Sequence, residues 1–392
     1  MPPGSQALTV GLVAGEASGD QLGAALIEAL RAQAPELHCF GVAGPRMRAA
    51  GCSAWADSHE LAVMGLFEPL KHLPRLLRLR HRLAARFRSE RPDVFVGIDA
   101  PAFNLGLAAT LRAAGLATVQ YVSPQVWAWR QGRVREIARA CDLVLCLLPF
   151  EAEFYARHGV QASFVGHPLA DQIPLTVDRA TARAALGIPA GAPLLALLPG
   201  SRLGEVERLG EDFLRAASWV RERRASLEVI APMASTAVRA VFERQLARTD
   251  TPGVRLLDAA AQPVLAAADA ALVASGTATL ETLLSKCPMV VAYRFGALTA
   301  FAIRRLGLVK VPYFSQPNLL LGRAFVPEFF QEAATPQALG AAVLEQLESP
   351  EHRAELEQLF TEVHRQLRRG GAERAAEAIL ALRALHTREA SA

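Results

Sequence analysis

The segment Val94–Leu105, VFVGIDAPAFNL, carries an apolar run of strand character that stops on an aspartate. A carboxylate there needs a hydrogen-bonding partner or a chemical role, because burying it alone is costly. Pro101 disfavours helix at residue 100, so Asp99 is expected to project from an extended segment at a strand's carboxyl end, toward an interdomain cleft. A carboxyl partly shielded from water in such a place has a raised pKa, which suits a general base. The competing reading is an N-cap for FNLGLAATL, but a cap would sit nearer Asn104.

Three other stretches have the composition of ligand loops. GEASGD offers Gly15 and Gly19 for close backbone approach, with Glu16, Ser18 and Asp20 as polar groups, and it reads equally as a site or as a turn in which Ser18 or Asp20 caps the next helix. It is neither a P-loop nor G-x-G-x-x-G. LLPGSRLGEVE sets Gly200, Ser201 and Arg202 between a strand and a helix that starts near Glu205, where backbone N–H groups and a forked guanidinium suit a phosphate. LVASGTATLETLL repeats the arrangement with Ser275, Gly276 and Thr277, and Glu281 one turn later either accepts from ribose hydroxyls or merely stabilises the helix start. Two phosphate-type loops without a nicotinamide fingerprint favour a nucleotide that serves as a leaving group. His167 in GHPLAD is either a ligand contact or a hydrogen-bonded structural histidine. With no Asp-x-Asp and no histidines at metal-ligand spacing, the expectation is a mechanism without metal or cofactor, in which Arg202 and helix dipoles stabilise the departing diphosphate.

The stretch Glu68–Arg88, EPLKHLPRLLRLRHRLAARFR, is basic after its first residue and otherwise rich in leucine, with Pro74 expected to start or kink a helix. Beside the apolar LAVMGLF it reads as a membrane-surface element, with Leu66, Phe67, Leu70, Lys71, Leu73, Arg75, Leu76, Arg78 and Arg82 as the facing residues. The alternative is a packed helix with a solvated arginine face. Nucleic acid is disfavoured because no aromatic residues interleave with the charge.

These loops must be held by strands. Apolar runs alternate with helical patterns from LTVGLVAG to DLVLCLLP, and the rhythm restarts from LLALLPGSR to PMVVAYR, which predicts two doubly wound α/β domains joined near residues 168 to 190. At 392 residues and 52% hydrophobic the chain can build two cores. The expected division is 1–168, 169–350 and a helical tail, 351–392, that packs back on the first domain. Cys39, Cys52, Cys141, Cys146 and Cys287 show no C-x-x-C and mostly sit in apolar runs, which predicts a reduced compartment. The start MPPGSQALTVGLVAG lacks the pattern of a signal peptide, and no run reaches the length of a spanning helix, so a soluble cytoplasmic protein is expected. Net charge is +4, and only Lys71, Lys286 and Lys310 are lysine, so isolated arginines carry little information.

In chain order, GEASGD, GVAGPRM, AVMGLFEPL, DVFVGIDAP, YVSPQVWAWRQ, LPFE, LLPGSR, SGTATLE, CPMVVAYR and PNLLLGR resemble the lipid-A-disaccharide synthase family across nearly the whole sequence. The resemblance implies a GT-B fold, two Rossmann-like domains facing a cleft, with an acceptor-side, membrane-facing first domain and a UDP-sugar-binding second one. It implies an inverting transfer from UDP-2,3-diacylglucosamine to 2,3-diacylglucosamine 1-phosphate (lipid X), giving the β-1,6 disaccharide and UDP. The expected partners are those two lipids and the anionic inner-membrane surface, and a homodimer is compatible with it. Matched by motif, Asp99 takes the place of the family's essential aspartate, Arg202 that of the PGSR arginine, and Asn318 that of the PNLL asparagine, assigned with the nucleotide and donor sugar. The family's DAPDFN is DAPAFN here, with Ala102 replacing a second acid, which leaves Asp99 as the base. The alternatives are a UDP-sugar epimerase on the same scaffold and a non-catalytic UDP-sugar-binding protein.

Overall fold

A computed structural model describes residues 7–62, 69–128, 131–189, 191–296 and 312–391. The chain divides into two compact units, Met1–Asp171 with Leu367–Ala392, and Gln172–Gln366.

The first unit is built on seven parallel strands: β1 (Leu8–Ala14), β2 (Leu37–Ala43), β3 (Cys52–Asp57), β4 (Val94–Ile98), β5 (Ala117–Tyr121), β6 (Leu143–Cys146) and β7 (Ala162–Phe164). They lie in the order β3-β2-β1-β4-β5-β6-β7. The central strands are apolar at nearly every position because helices cover both faces of the sheet. Alternation sorts the side chains: Val94, Val96 and Ile98 of β4 pack on one face with Leu26 and Leu30, while Phe95 packs on the other with Phe87 and Leu107. The closing helix Gly371–Ser391 adds Ala375, Ala376, Ile379 and Leu382 to the first face. Its start is fixed by Asp171, whose carboxylate accepts from the amides of Gly370 (3.0 Å) and Gly371 (2.8 Å). The preceding helix, Pro350–Leu367, lies in the second unit except for its last residue.

The second unit holds β8 (Leu194–Leu198), β9 (Glu228–Pro232), β10 (Val254–Leu257), β11 (Ala270–Ala274), β12 (Met289–Tyr293) and β13 (Glu328–Phe330), in the order β10-β9-β8-β11-β12-β13 and again parallel. In each sheet the chain reverses its direction of travel across the sheet once, between β1 and β4 and between β8 and β11. In open parallel sheets that switch point, beyond the carboxyl ends of the strands, is where ligands bind.

Candidate functional site

The switch point of the first sheet brings GEASGD and Asp99 together, since β1 and β4 are paired up to Ala14 and Ile98. Asp99 is not extended: it and Ala100 have φ of 51° and 42°, both in the left-handed region. Each non-glycine residue held there costs about 1–3 kcal/mol. Pro101 does keep residue 100 out of the right-handed helix, but the outcome is a sharp turn, with the helix Pro101–Arg112 beginning immediately and Ala100 at its N-cap position. The Asp99 amide donates to Tyr121 O at 2.8 Å, continuing the β4–β5 ladder by one residue. Its carboxyl is half-buried, and burial raises its pKa, partly offset by the Ala100 amide.

Gly15 is required by this turn. A Cβ on Gly15 would lie 2.5 Å from the Cβ of Ala100. Gly19 packs closely against the end of the sheet, with the Ile98 carbonyl 3.6 Å from where its Cβ would be, while Glu16 and Ser18 are exposed beside it. Asp20 plays a different part. It is buried, and its carboxylate accepts from the amides of Arg46 (2.9 Å) and Met47 (3.0 Å), capping the helix Pro45–Ala49 rather than its own. It therefore leaves the set of site residues. His167 is buried and hydrogen-bonded. Its Nδ1 accepts from the Leu169 amide at 3.2 Å, and burial lowers its pKa to about 4, so the ring is neutral.

The switch point of the second sheet brings together the other two loops, because β8 leads to Gly200-Ser201-Arg202 and its partner β11 leads to Ser275-Gly276-Thr277. The phosphate expectation needs one correction. Glu205 reaches back to accept from the amides of Ser201 (3.2 Å) and Arg202 (3.3 Å), so those N–H groups already have an anion. Gly200, at φ 129°, sits where a side chain would strike Glu205. The Arg202 side chain remains 77% exposed, its Nη1 3.4 Å from Glu205 Oε1. The helix Thr277–Leu284, by contrast, has no side-chain cap among the described residues, and its first N–H groups suit an anion. The Ser275 hydroxyl donates to Phe314 O at 2.7 Å and so holds the neighbouring loop. Glu281 is half-buried, and burial raises its pKa.

Asn318 is 1% exposed and its amide is fully used inside the protein. Nδ2 donates to Val326 O and Glu328 Oε1, both at 2.9 Å, and Oδ1 accepts from the amides of Phe325 (2.8 Å) and Val326 (2.9 Å). In this structure it shapes the loop beside Ser275. Glu328, absent from the sequence-derived set, is the other centre of that loop, accepting also from the amides of Phe314 and Ser315. Its signal, an acid heading the short run EFF, was too local to read.

The basic stretch forms the helix Pro69–Glu90, with Pro74 inside it rather than at its start. Leu76 is not membrane-facing: it is 7% exposed and packs with Leu79, Leu83, Phe87 and Phe103. Arg75, Arg78 and Arg82 are exposed, as is Leu73. Leu66 and Phe67 lie outside the described residues, as do the side chains of Leu70 and Lys71. Among the described residues no helix is long and apolar enough to cross a membrane.

A family model, lipid-A-disaccharide synthetase, matches residues 10–382. The chain belongs to that family. It is 53% identical over 377 residues to the lipid-A-disaccharide synthase of Alkalilimnicola ehrlichii, covering 95% of this chain and 98% of the relative. It is 54% identical over 375 residues to that of Pseudomonas aeruginosa (strain LESB58), covering 96% and 98%. Among solved structures, this synthetase-family chain is similar to the glycotransferase of kitacinnamycin, with TM-score 0.60, 18% identity and coverage of 95% and 98%. It is also similar to the UDP-GlcNAc 2-epimerase from Neisseria meningitidis, with TM-score 0.59, 11% identity and coverage of 92% and 99%. Those two likenesses concern the fold, which is GT-B. The family match, not the fold, separates transferase from epimerase, and the protein is a glycosyltransferase.

Proposed function

We propose that the protein transfers 2,3-diacylglucosamine from UDP to the 6-hydroxyl of 2,3-diacylglucosamine 1-phosphate, releasing UDP and forming a β-1,6 bond. The observation that carries the chemical reading is the strained left-handed turn at Asp99–Ala100, which sets a half-buried carboxyl with a raised pKa at the switch point of the first sheet. The donor is α-linked and the product β-linked, so the hydroxyl attacks from the face opposite UDP and must lose its proton as the bond forms. Asp99 takes that proton. Arg202 and the N-terminus of the helix Thr277–Leu284 hold the diphosphate and stabilise its charge as UDP leaves, and Glu281 accepts from the ribose. Asn318 and Glu328 keep the adjoining loop in shape. The exposed Arg75, Arg78 and Arg82, with Leu73, meet the anionic cytoplasmic face of the inner membrane, where both lipids reside.

Asp99→Asn keeps size and hydrogen bonding but cannot take the proton. Turnover, followed as UDP release with both lipids, falls by ~10²–10⁴ while UDP affinity by calorimetry stays within twofold. Retention of most of the activity where chemistry limits the rate would exclude Asp99 as the base.

A further inference from the structure

The turn that carries Asp99 is held from behind by two buried primary amides. Asn104 Nδ2 donates to the carbonyls of Val13 (3.2 Å), Ile98 (3.3 Å) and Asp99 (2.8 Å). Gln120 Nε2 donates to those of Asp99 (3.1 Å), Tyr121 (3.3 Å) and Val122 (3.3 Å). Only the nitrogen end of an amide can face a cluster of carbonyl oxygens, so the surroundings fix both orientations. Among the described residues, Asn104 Oδ1 and Gln120 Oε1 are consequently buried without a hydrogen-bond partner. An orphaned buried acceptor is unfavourable, and an apolar side chain in the middle of β5 would avoid it. What Gln120 contributes in exchange is donation. It reaches two strained strand exits at once: Asp99, and Val122, which holds φ at 75° although it is β-branched.

We infer that Gln120, assisted by Asn104, is a positioning residue for the reaction. By pinning the Asp99 and Val122 carbonyls it fixes the backbone from which the Asp99 carboxyl projects, and so the distance at which that carboxyl meets the acceptor hydroxyl. The inference rests on the reading of Asp99 as the base. Without the amide, the left-handed residues relax toward ordinary conformations, the carboxyl gains solvent and its pKa falls.

The test is Gln120→Met, which keeps length and apolar packing and removes both the donor and the orphaned oxygen. Steady-state rates with UDP-2,3-diacylglucosamine and 2,3-diacylglucosamine 1-phosphate are to be measured across pH, alongside thermal unfolding. The expected result is a melting temperature within a few degrees of the parent, KM for the UDP-sugar within about twofold, and kcat lower by ~10- to 100-fold, the scale of a catalytic group displaced by about an ångström. The acid limb of the kcat profile moves to lower pH, which a merely structural role would not produce. Gln120→Glu, whose protonated carboxyl can still donate one bond, falls between Met and the parent and improves as pH is lowered. Unchanged kcat in the Met variant would overturn the inference, and so would a fall in kcat matched by lost stability with the acid limb unmoved. Asp99→Asn separates the two claims: an active Asp99→Asn refutes the base, whereas an inactive one beside a fully active Gln120→Met refutes the positioning role alone.

Discussion

Gly15→Ala tests the geometry of the Asp99 turn without touching a polar group. The new methyl would lie 2.5 Å from the Ala100 Cβ, whereas carbon atoms in contact are about 3.5–4.0 Å apart. Something must open by about 1 Å. Ala14 precedes Gly15 in a paired, buried strand, so the freer side of the contact is the Asp99–Ala100 turn, which already holds two left-handed residues. A displacement of that size at a catalytic carboxyl lowers kcat by ~10². Over-packing also costs about 1–3 kcal/mol of stability, visible as a lower melting temperature. On the proposed assignment UDP affinity is unaffected, because the loops proposed for the nucleotide belong to the other unit. The control is Gly15→Ala with Ala100→Gly: the second change removes the struck methyl, and glycine accepts φ 42° without strain. The pair should recover most of the lost turnover and stability, a coupling that a double-mutant cycle reads directly. If Gly15→Ala alone leaves kcat within about threefold of the parent, or if the double variant is no better than the single, the contact does not set the position of Asp99 and the argument fails.

Arg202→Ala should weaken UDP binding by about 1.5–3 kcal/mol, the scale of a hydrogen bond to a charged group, and unchanged affinity by calorimetry would remove Arg202 from the site. Replacing Arg75, Arg78 and Arg82 with Glu should reduce co-sedimentation with anionic vesicles by roughly 1 kcal/mol per residue at low salt, with high salt acting likewise on the parent; insensitivity to both would make the helix Pro69–Glu90 a packing element only. Glu151 is buried and accepts from Trp127 Nε1 and the Leu148 amide, yet burial pushes its carboxyl up from 4.5 to about 7. Because the folded state holds this proton more tightly, its contribution, on the order of 3 kcal/mol, is complete below about pH 4.5 and is lost as pH rises to about 7. His167, with its lowered pKa, slopes the opposite way below pH 6.5, so the readout is the difference in unfolding free energy between the parent and Glu151→Gln. A difference constant from pH 4.5 to 8 would contradict the assignment.

The strand ends are legible in the sequence because they have a one-dimensional signature, an apolar run meeting glycine and polar residues, and the four candidate stretches, GEASGD, Asp99, Gly200–Arg202 and Ser275–Thr277, follow the strands that flank the two switch points. What was not legible depends on partners distant along the chain. Asp99 directly ends one apolar run and Asp20 lies a few residues beyond another, and nothing local says that Asp20 caps a helix through the amides of Arg46 and Met47 while Asp99 keeps its carboxyl half-buried at a turn. Strands β2, β3, β7 and β13 are short or partly exposed, so their apolar signal in the sequence is weak. Two features do carry a local signature. Leu76 shares a helical face with Leu79, Leu83 and Phe87, a core spacing visible in the sequence. Glu205 stands at the third position after its cap, but the capping box is sought behind serine or threonine, and Arg202 concealed it. Gln120 shows the same limit from the other side. One amide in an apolar strand reads as an imperfection until the fold supplies the carbonyls it serves, and two of those three belong to Asp99 and Val122, whose left-handed φ has no signature in residue type.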